Sequence, residues 1–410
     1  MSVKFINLRH LKAFKEVASQ GGISAAAVRV HLSQPAVTQA ITRLEEHFGT
    51  PLFERRRNGM FVTQSGAALH VRVQNLFQLL DNGADDAVRS AARRSDKPNM
   101  GFQNQVTASQ LRALVAIWET GGFSLAARAI GISQPSIHRA GRDLEKLSGM
   151  TLFISSRKGI ELTPQAEPFA RAVKLAAAEL RQGYDEITRL SEDDNTTIVV
   201  GSMPLSRTSI LPEAIDKMLV HGASIQVRTV DGPYAELLRG LRHGDLDVLV
   251  GALRDPLPSD DVIQEPLLDD SLAIVVGPHH PLAHKSNLSV ADTMTYPWIA
   301  PPKATPTGTY LYHMLDIENA DVTPVRVVSS SLVLVRGLLS KGNYVTLISL
   351  QQTKVERAQG LIIPLDISLP KSTRSIGLTY RADWKPTPTQ TNFFDLLRQA
   401  ATHAATPTYT

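Results

Sequence analysis

The 410-residue chain contains no cysteine, which excludes disulfides, thiolate metal sites and cysteine nucleophiles together. It also lacks any apolar run near the roughly 18 to 20 residues needed to cross a bilayer. Its start, Met1-Ser2-Val3-Lys4-Phe5, carries no apolar signal core, so a soluble cytoplasmic protein with no membrane partner is expected. No His-Glu-x-x-His, Gly-x-Ser-x-Gly or phosphate-cradling glycine loop occurs, and each of those chemistries requires its own spacing. His279-His280-Pro281, Asp260-Asp261 and Asp269-Asp270 have no partner at metal-ligand or acid–base spacing and read as solvated loops. No catalytic residue, metal site or cofactor is expected, and the chain is not read as an enzyme.

What the chain does have is a repeat. Ser24-Ala25-Ala26-Ala27, Ser33-Gln34-Pro35-Ala36-Val37-Thr38 and Leu44-Glu45 return 100 residues later as Ser124-Leu125-Ala126-Ala127, Ser133-Gln134-Pro135-Ser136-Ile137-His138 and Leu144-Glu145. Leu11, Gly21-Gly22, Leu52-Phe53, Arg57, Gly59 and Thr63 recur in the same register. Roughly a third of the positions in one unit are identical, a match long enough to mark an internal duplication. The net charge of +4 is unevenly spread. Residues 1 to 100 hold about +6, residues 101 to 195 about zero and the rest about −2.

In the first unit, Leu11, Phe14, Val17 and Ala18 fall on one helical face. Gly21-Gly22 ends that helix, and Ser24 is the expected cap of a short alanine-rich helix to about Val30. His31-Leu32 makes a turn, and Ser33 caps a third helix with Pro35 in its first turn. There Val37, Ile41 and Leu44 point inward, leaving Gln34, Thr38, Gln39, Thr42 and Arg43 outward. Short helix, tight turn and capped helix read as helix-turn-helix. Glutamine suits an adenine edge, threonine a base or thymine methyl, and arginine guanine or phosphate. Residues 52–63 then read as a two-stranded wing whose Arg55, Arg56 and Arg57 lie along phosphates.

Ser33-Gln34-Pro35-Ala36-Val37-Thr38, Leu44-Glu45, Leu52-Phe53-x-Arg55 and Val62-Thr63-x-x-Gly66 together resemble the winged helix-turn-helix of the LysR-type transcriptional regulators. The resemblance implies double-stranded promoter or operator DNA as partner, with Ser33, Gln34, Pro35, Thr38, Gln39, Arg43 and Arg55–Arg57 at the contact. It also implies a homo-oligomer, dimer or tetramer, in which long linker helices pair antiparallel.

The second unit keeps the framework and departs from the family where DNA would be read. His138 replaces Thr38, Gly141 replaces the inward Ile41, and Ser155-Ser156 replace Arg55-Arg56. Glycine inside a helix costs about 1 kcal/mol against alanine. Gln134, His138, Arg139, Arg142, Arg157 and Lys158 remain for contact, so DNA binding and a structural role both stay open. The expected layout is a first winged unit over 1–66, a linker helix over 67–95, a polar connector over 96–107, a second winged unit over 108–164, and a second linker helix over 165–192. The connector is short enough for the two units of one chain to form an intramolecular copy of the dimer.

From 196 the period changes to alternating strands and helices, which predicts parallel α/β units. The overall fold class is multidomain, two all-α winged units with long linker helices followed by an α/β domain. That domain resembles the family's effector domain, a two-lobed periplasmic-binding-protein-like fold over 196–402, with lobe one at about 196–270 and 362–402 and lobe two at about 271–361. A ligand there lies between lobes at loops and helix N-termini, which favour anions. By position the candidates are Ser202, Met203, Ser206, Pro233, Tyr234, Pro301, Thr305, Thr307, Ser329, Ser330 and Ser331. Each hydroxyl alone also suits a helix cap. Residues 379–388 resemble members governing sugar or aromatic-acid catabolism. The reading is a DNA-binding regulator controlled by a small-molecule effector. The rival is a ligand-binding or interaction protein whose DNA reading has decayed.

Overall fold

A computed structural model describes residues 5–57, 59–92, 97–191, 194–220, 222, 224–314 and 323–405. Asn58 of the wing, Arg93–Asp96 of the connector and the acidic pair Glu192-Asp193 lie outside the described residues. The chain divides into two compact units, one of residues 1–197 with 224–226 and 243–245, the other of the remainder.

The first helix-turn-helix comprises α1 (Leu8–Gln20), α2 (Ile23–Val30) and α3 (Gln34–Phe48), with the wing hairpin β1 (Phe53–Arg56) and β2 (Gly59–Val62) and the long α4 (Gln64–Ala92) after it. The copy repeats this as α5 (Ala108–Thr120), α6 (Phe123–Ile130), α7 (Gln134–Ser148), β3 (Phe153–Ser156), β4 (Gly159–Leu162) and α8 (Ala166–Leu190). Ser33 and Ser133 cap α3 and α7 by accepting from Ala36 and Ser136 N–H. Ser24 does not cap: the α2 N-cap is Gly22, and Ser24 already lies within the helix. Gly21, left-handed at φ 69°, ends α1 and lets the chain turn into the extended Gly22.

Three backbone anchors recur in both copies. Glu45 Oε1 accepts from Leu52 and Phe53 N–H at 2.9 and 3.3 Å, and Glu145 Oε1 from Leu152 and Phe153 at 2.9 and 3.2 Å. Met60 N–H donates to Gly21 O and Ile160 N–H to Gly121 O, at 2.9 and 2.7 Å. That approach needs glycine next door, because a Cβ on Gly59 or Gly159 would stand 2.6 or 2.4 Å from the same carbonyl. Thr63 and Thr163 hydroxyls donate to Pro51 O and Thr151 O, both at 2.8 Å.

Helices α4 and α8 pack antiparallel within the chain. Apolar side chains including Leu69, Val73, Leu76 and Leu80 meet Phe169, Val173, Ala176 and Leu180 in one continuous core. At one end Gly83 lies against Ala172, where an added Cβ would come within 2.2 Å of the alanine's own. At the other, Gly183 lies against Arg72 and Leu69. The Arg72 guanidinium is buried there, donating to Gln182 at 2.8 Å, Glu186 at 2.6 Å and Glu179 at 3.3 Å. Burial opposes its charge, and Glu186 and Glu179 outweigh that, holding its pKa above the ordinary arginine value.

The second unit carries a mixed sheet in the order β10-β9-β11-β8-β13-β7-β5-β6. Its strands are β5 (Thr197–Ser202), β6 (Gln226–Val230), β7 (Val248–Ala252), β8 (Val262–Val276), β9 (Trp298–Ala300), β10 (Val325–Val328), β11 (Val345–Ser349), β12 (Ile363–Pro364) and β13 (Thr373–Arg381). The helices are α9 (Ile210–Val220), α10 (Tyr234–Arg242), α11 (Val290–Thr293), α12 (Pro306–Met314), α13 (Leu332–Leu339), α14 (Lys354–Ala358) and α15 (Pro388–Ala405). The expectation of parallel units holds for β5 with β7 and for β9 with β10 and β11, whereas β13 runs antiparallel to β7 and β8. The long β8 pairs with β13 up to Ser271 and with β11 from Leu272, so one strand belongs to both lobes. The chain does not leave lobe two near 362: β12 still pairs with the end of β8, and Leu365, Ile367 and Leu369 pack into the lobe-two core. It returns with β13 at Thr373.

Candidate functional site

On the first unit, Gln34, Pro35, Thr38 and Gln39 line one open face of α3 together with Ile23. Arg43 continues that face two turns on and is exposed. The Thr38 hydroxyl donates to Gln34 O at 3.0 Å, which orients the side chain on its own helix. Arg55, Arg56 and Arg57 stand exposed along the wing. Arg56 is held by Glu54 at 2.7 Å and lies over Phe61 at 5.0 Å, while Arg43, Arg55 and Arg57 have no acidic partner among the described residues. Burial, then the charge of Arg43, lowers the pKa of the nearby His10 from its ordinary value.

The copied face carries Gln134, His138, Arg139 and Arg142 along α7, with Asp143 and Lys146. Arg142 is engaged by Glu145 at 2.5 Å. On the wing, Ser156 donates to Glu161 at 2.8 Å, with Arg157 and Lys158 exposed beside it. Gly141 stands inward, at the position of Ile41, and the structure gives its cost to the helix a reason. It is buried, and a Cβ there would meet Phe153, Ile117 and Phe123 at 3.3 to 3.5 Å. Phe123 stands where the first copy has Ile23, so the glycine makes room for a larger neighbour. That ring leans on Phe153 and on exposed His138, centroids 5.8 and 5.1 Å apart.

In the α/β unit a narrow cleft of ≈ 90 Å³ lies between the two lobes. Met203, Pro301, Thr305, Thr307, Ser329 and Ser330, all named from the sequence, line it. The other named residues stand back. Ser206 spends its hydroxyl on Met203 O and Val250 O, at 2.8 and 3.1 Å. Ser331 caps α13, and Thr305 both caps Gly308 and donates to Pro302 O. Ser202 is buried with no hydrogen-bond partner for its Oγ among the described residues, and Pro233 lies exposed before α10.

Sequence reasoning missed two arginines in this cleft. Arg374 is satisfied: it donates to Asp270 at 3.1 and 3.2 Å and to Thr307 at 2.6 Å, while Asp270 also accepts from Ser349 at 2.6 Å. Asp270 is therefore a buried member of the interlobe strand, not a solvated loop residue. His280 is buried too, its Nδ1 accepting from Leu282 N–H at 3.1 Å. Arg254 differs. Its guanidinium lies 4.0 Å over the Tyr234 ring and donates to Ala252 O at 2.9 Å, and no carboxylate among the described residues accepts from it. Burial, with Arg374 nearby, lowers its pKa from the ordinary value. Tyr234 is thus a platform beneath the cleft arginine, with its own hydroxyl unpartnered.

Comparison with known proteins gives these two surfaces a common frame. The family model described as a bacterial regulatory helix-turn-helix protein of the lysR family matches twice, at residues 8–67 and 108–167, and that of the LysR substrate binding domain matches 191–402. The chain is 30% identical over 405 residues to the HTH-type transcriptional regulator GalR of Pseudomonas putida, covering 99% of this chain and 100% of that protein. It is 28% identical over 292 residues to the regulator PcaQ of Agrobacterium fabrum, covering 71% and 94%. Full-length OxyR of Pseudomonas aeruginosa has the same fold, with a TM-score of 0.52 at 22% identity over 72% of this chain and 98% of that one. With two helix-turn-helix matches ahead of a substrate-binding domain, the chain belongs to the LysR family of transcriptional regulators, DNA-binding proteins, not enzymes, that answer to a small-molecule effector.

Proposed function

We propose that the first winged unit reads operator DNA through Gln34, Thr38, Gln39 and Arg43, with Ser33 and Pro35 fixing the start of the helix and Arg55–Arg57 on the phosphates. The observation that carries this is an exposed row of base-reading side chains flanked by arginines without acidic partners. The second unit, through Gln134, His138, Arg139, Arg142, Arg157 and Lys158, follows the same duplex mainly by backbone contact. The α4–α8 packing supports an intramolecular pair, one chain offering both heads. Val220 on α9 and Val333 and Leu334 on α13, apolar and exposed, support further self-association of chains into a homo-oligomer. The working compartment is the cytoplasm, where its DNA is.

Of the two effector classes, sugar and aromatic acid, we favour the acid. Arg254 is a half-buried cleft cation lacking a counter-charge, and its planar fork matches a carboxylate. The candidate contacts from the sequence are Met203, Pro301, Thr305, Thr307, Ser329 and Ser330 at the wall, with Ser202, Ser206, Pro233, Tyr234 and Ser331 behind it. A cleft of ≈ 90 Å³ is well below the roughly 300 Å³ of an ordinary ligand site. Binding an aromatic acid therefore opens or re-seats the lobes about β8, and this is the step that changes DNA contact.

A thermal-shift screen of the full chain against aromatic and aliphatic carboxylates and neutral sugars tests the effector reading. Carboxylates should raise the melting temperature by mass action and lose that effect in Arg254→Gln. Stabilisation by neutral sugars that survives the substitution would refute the acid. For DNA, titration of selected duplexes over salt should give an affinity that falls steeply as salt rises. Salt-insensitive or absent binding would instead favour a protein whose DNA reading has decayed.

A further inference from the structure

The α4–α8 seam follows a pseudo-two-fold in which each position corresponds to one 100 residues away. Gly83 rests on Ala172, and its counterpart Gly183 rests on Arg72, the counterpart of Ala172. Shape obeys the symmetry, and charge does not. Arg72 corresponds to Ala172, Leu79 to Glu179, Asn82 to Gln182 and Asp86 to Glu186. At this position the buried cation, Arg72, is on α4, and the buried carboxylate that also accepts from Asn75 at 3.1 Å, Glu179, is on α8, whose own buried Lys174 pairs instead with Glu119 and Asp245.

Exchange of partners between two chains makes the consequence plain. Two α4–α8 seams give two arginines, each between Glu179 and Glu186. Re-pairing like with like leaves Arg72 facing Leu79 and the shorter Asp86 in α4–α4. In α8–α8 it leaves four glutamates around two alanines, with Ala172 where Arg72 would answer them. A buried charge that loses its partner is strongly destabilising. The connector adds a second restraint. Gln103 donates to Asp81 of α4 at 3.0 Å, Phe102 packs on Phe169 of α8 at 4.9 Å between centroids, and Asn99 N–H donates to Ser148 O at 2.8 Å. It straps both helices of its own chain.

We propose that the Arg72 cluster is a pairing code: it selects α8 as the partner of α4 and rejects like-with-like pairing, and the connector strap makes that the α8 of the same chain, so that one chain forms the complete two-headed module and its operator has two unlike halves. This rests on the reading of both winged units as a DNA-facing pair. The code acts as a single polar position does in a coiled coil, setting partner and register at some cost in stability.

The absence of cysteine makes the test clean. Phe48→Cys and Tyr184→Cys, whose rings lie 6.2 Å apart between centroids, are placed in the full chain and linked with a short bis-maleimide. Mixtures of the two single-cysteine chains report links between chains. The expected result is an intrachain product at least tenfold over the interchain one. Arg72→Glu should cut the intrachain yield about tenfold, and Arg72→Glu with Glu179→Arg and Glu186→Arg should restore it. An intrachain yield unchanged by Arg72→Glu, or not restored by the reversal, overturns the code. Links formed only between chains overturn it as well. Site selection from random duplexes should recover a non-palindromic sequence, and a palindrome would overturn the unlike halves. Failure of the unsubstituted chain to bind any duplex would instead sink the DNA reading and leave the cross-linking result intact.

Discussion

The two winged units separate what a helix-turn-helix needs to fold from what it needs to read. The anchors that tie recognition helix, turn and wing together are repeated: the serine caps, the glutamates that tie recognition helix to wing, the Gly21–Met60 and Gly121–Ile160 contacts and the threonine anchors. Most of what faces outward has changed, from Thr38 to His138 and from Arg55-Arg56 to Ser155-Ser156. The Ser-Gln-Pro signature is thus partly a folding signature, its serine and proline starting a helix whatever the next residues touch.

The sharpest way to break this comparison is through the core exchange of Ile41 with Gly141. Ile41→Gly should destabilise by about 3 to 5 kcal/mol, adding a cavity to a helix-interior glycine. Gly141→Ile should cost about 1 to 3 kcal/mol by overpacking and recover when Phe123→Ile is added, as urea denaturation of the full chain would read. If Phe123→Ile gives no recovery, the two sites are not a compensated pair. Next come the outer faces: Arg43→Ala with Arg55→Ala should weaken DNA binding about a hundredfold, and Arg142→Ala with Arg157→Ala less than about tenfold, by anisotropy at fixed salt. Equal losses would make the units equal readers. Smaller still, Glu45→Ala and Glu145→Ala should each cost about 1 to 3 kcal/mol through stranded N–H donors, and a clear inequality would show that the shared anchor is not shared.

The smallest effect is in pH. His10 and His70 of the first copy have pKa values lowered chiefly by burial, aided by Arg43 and Lys15 respectively, and their counterparts are Gln110 and Ala170. A histidine lowered on folding contributes its stability above about 6.5, and that stability is lost as pH falls through the folded pKa. Amide exchange corrected for intrinsic rates should therefore show α1 and the start of α4 loosening below about pH 6.5 while α5 holds. Parallel loosening would assign the effect elsewhere.

Much of the fold was legible because helix caps, apolar period and repeat are local signals. Ser33 and Pro35 announced α3, and the stripe from Leu69 to Leu80 announced a seam. Ser24 misled because a serine one residue inside a helix looks the same in sequence as one at its cap. Gly141 misled because its compensation, Phe123, lies on another helix. The same limit hid the polar centres. Arg72 finds its carboxylates 107 and 114 residues away, and Arg374 finds Asp270 at a distance of 104. Arg254 stands out only once the fold shows that no such carboxylate reaches it.

The strap from Asn99 to Gln103 changes how the protein evolves as well as how it folds. In a symmetric dimer every substitution is made in both heads, so a change that suits one half-site is imposed on the other. Two heads written once each in a single chain are free of that constraint. In the proposed two-headed module one head is free to drift in base preference while its companion preserves the grip, and assembly of the pair does not depend on how many copies the cell contains.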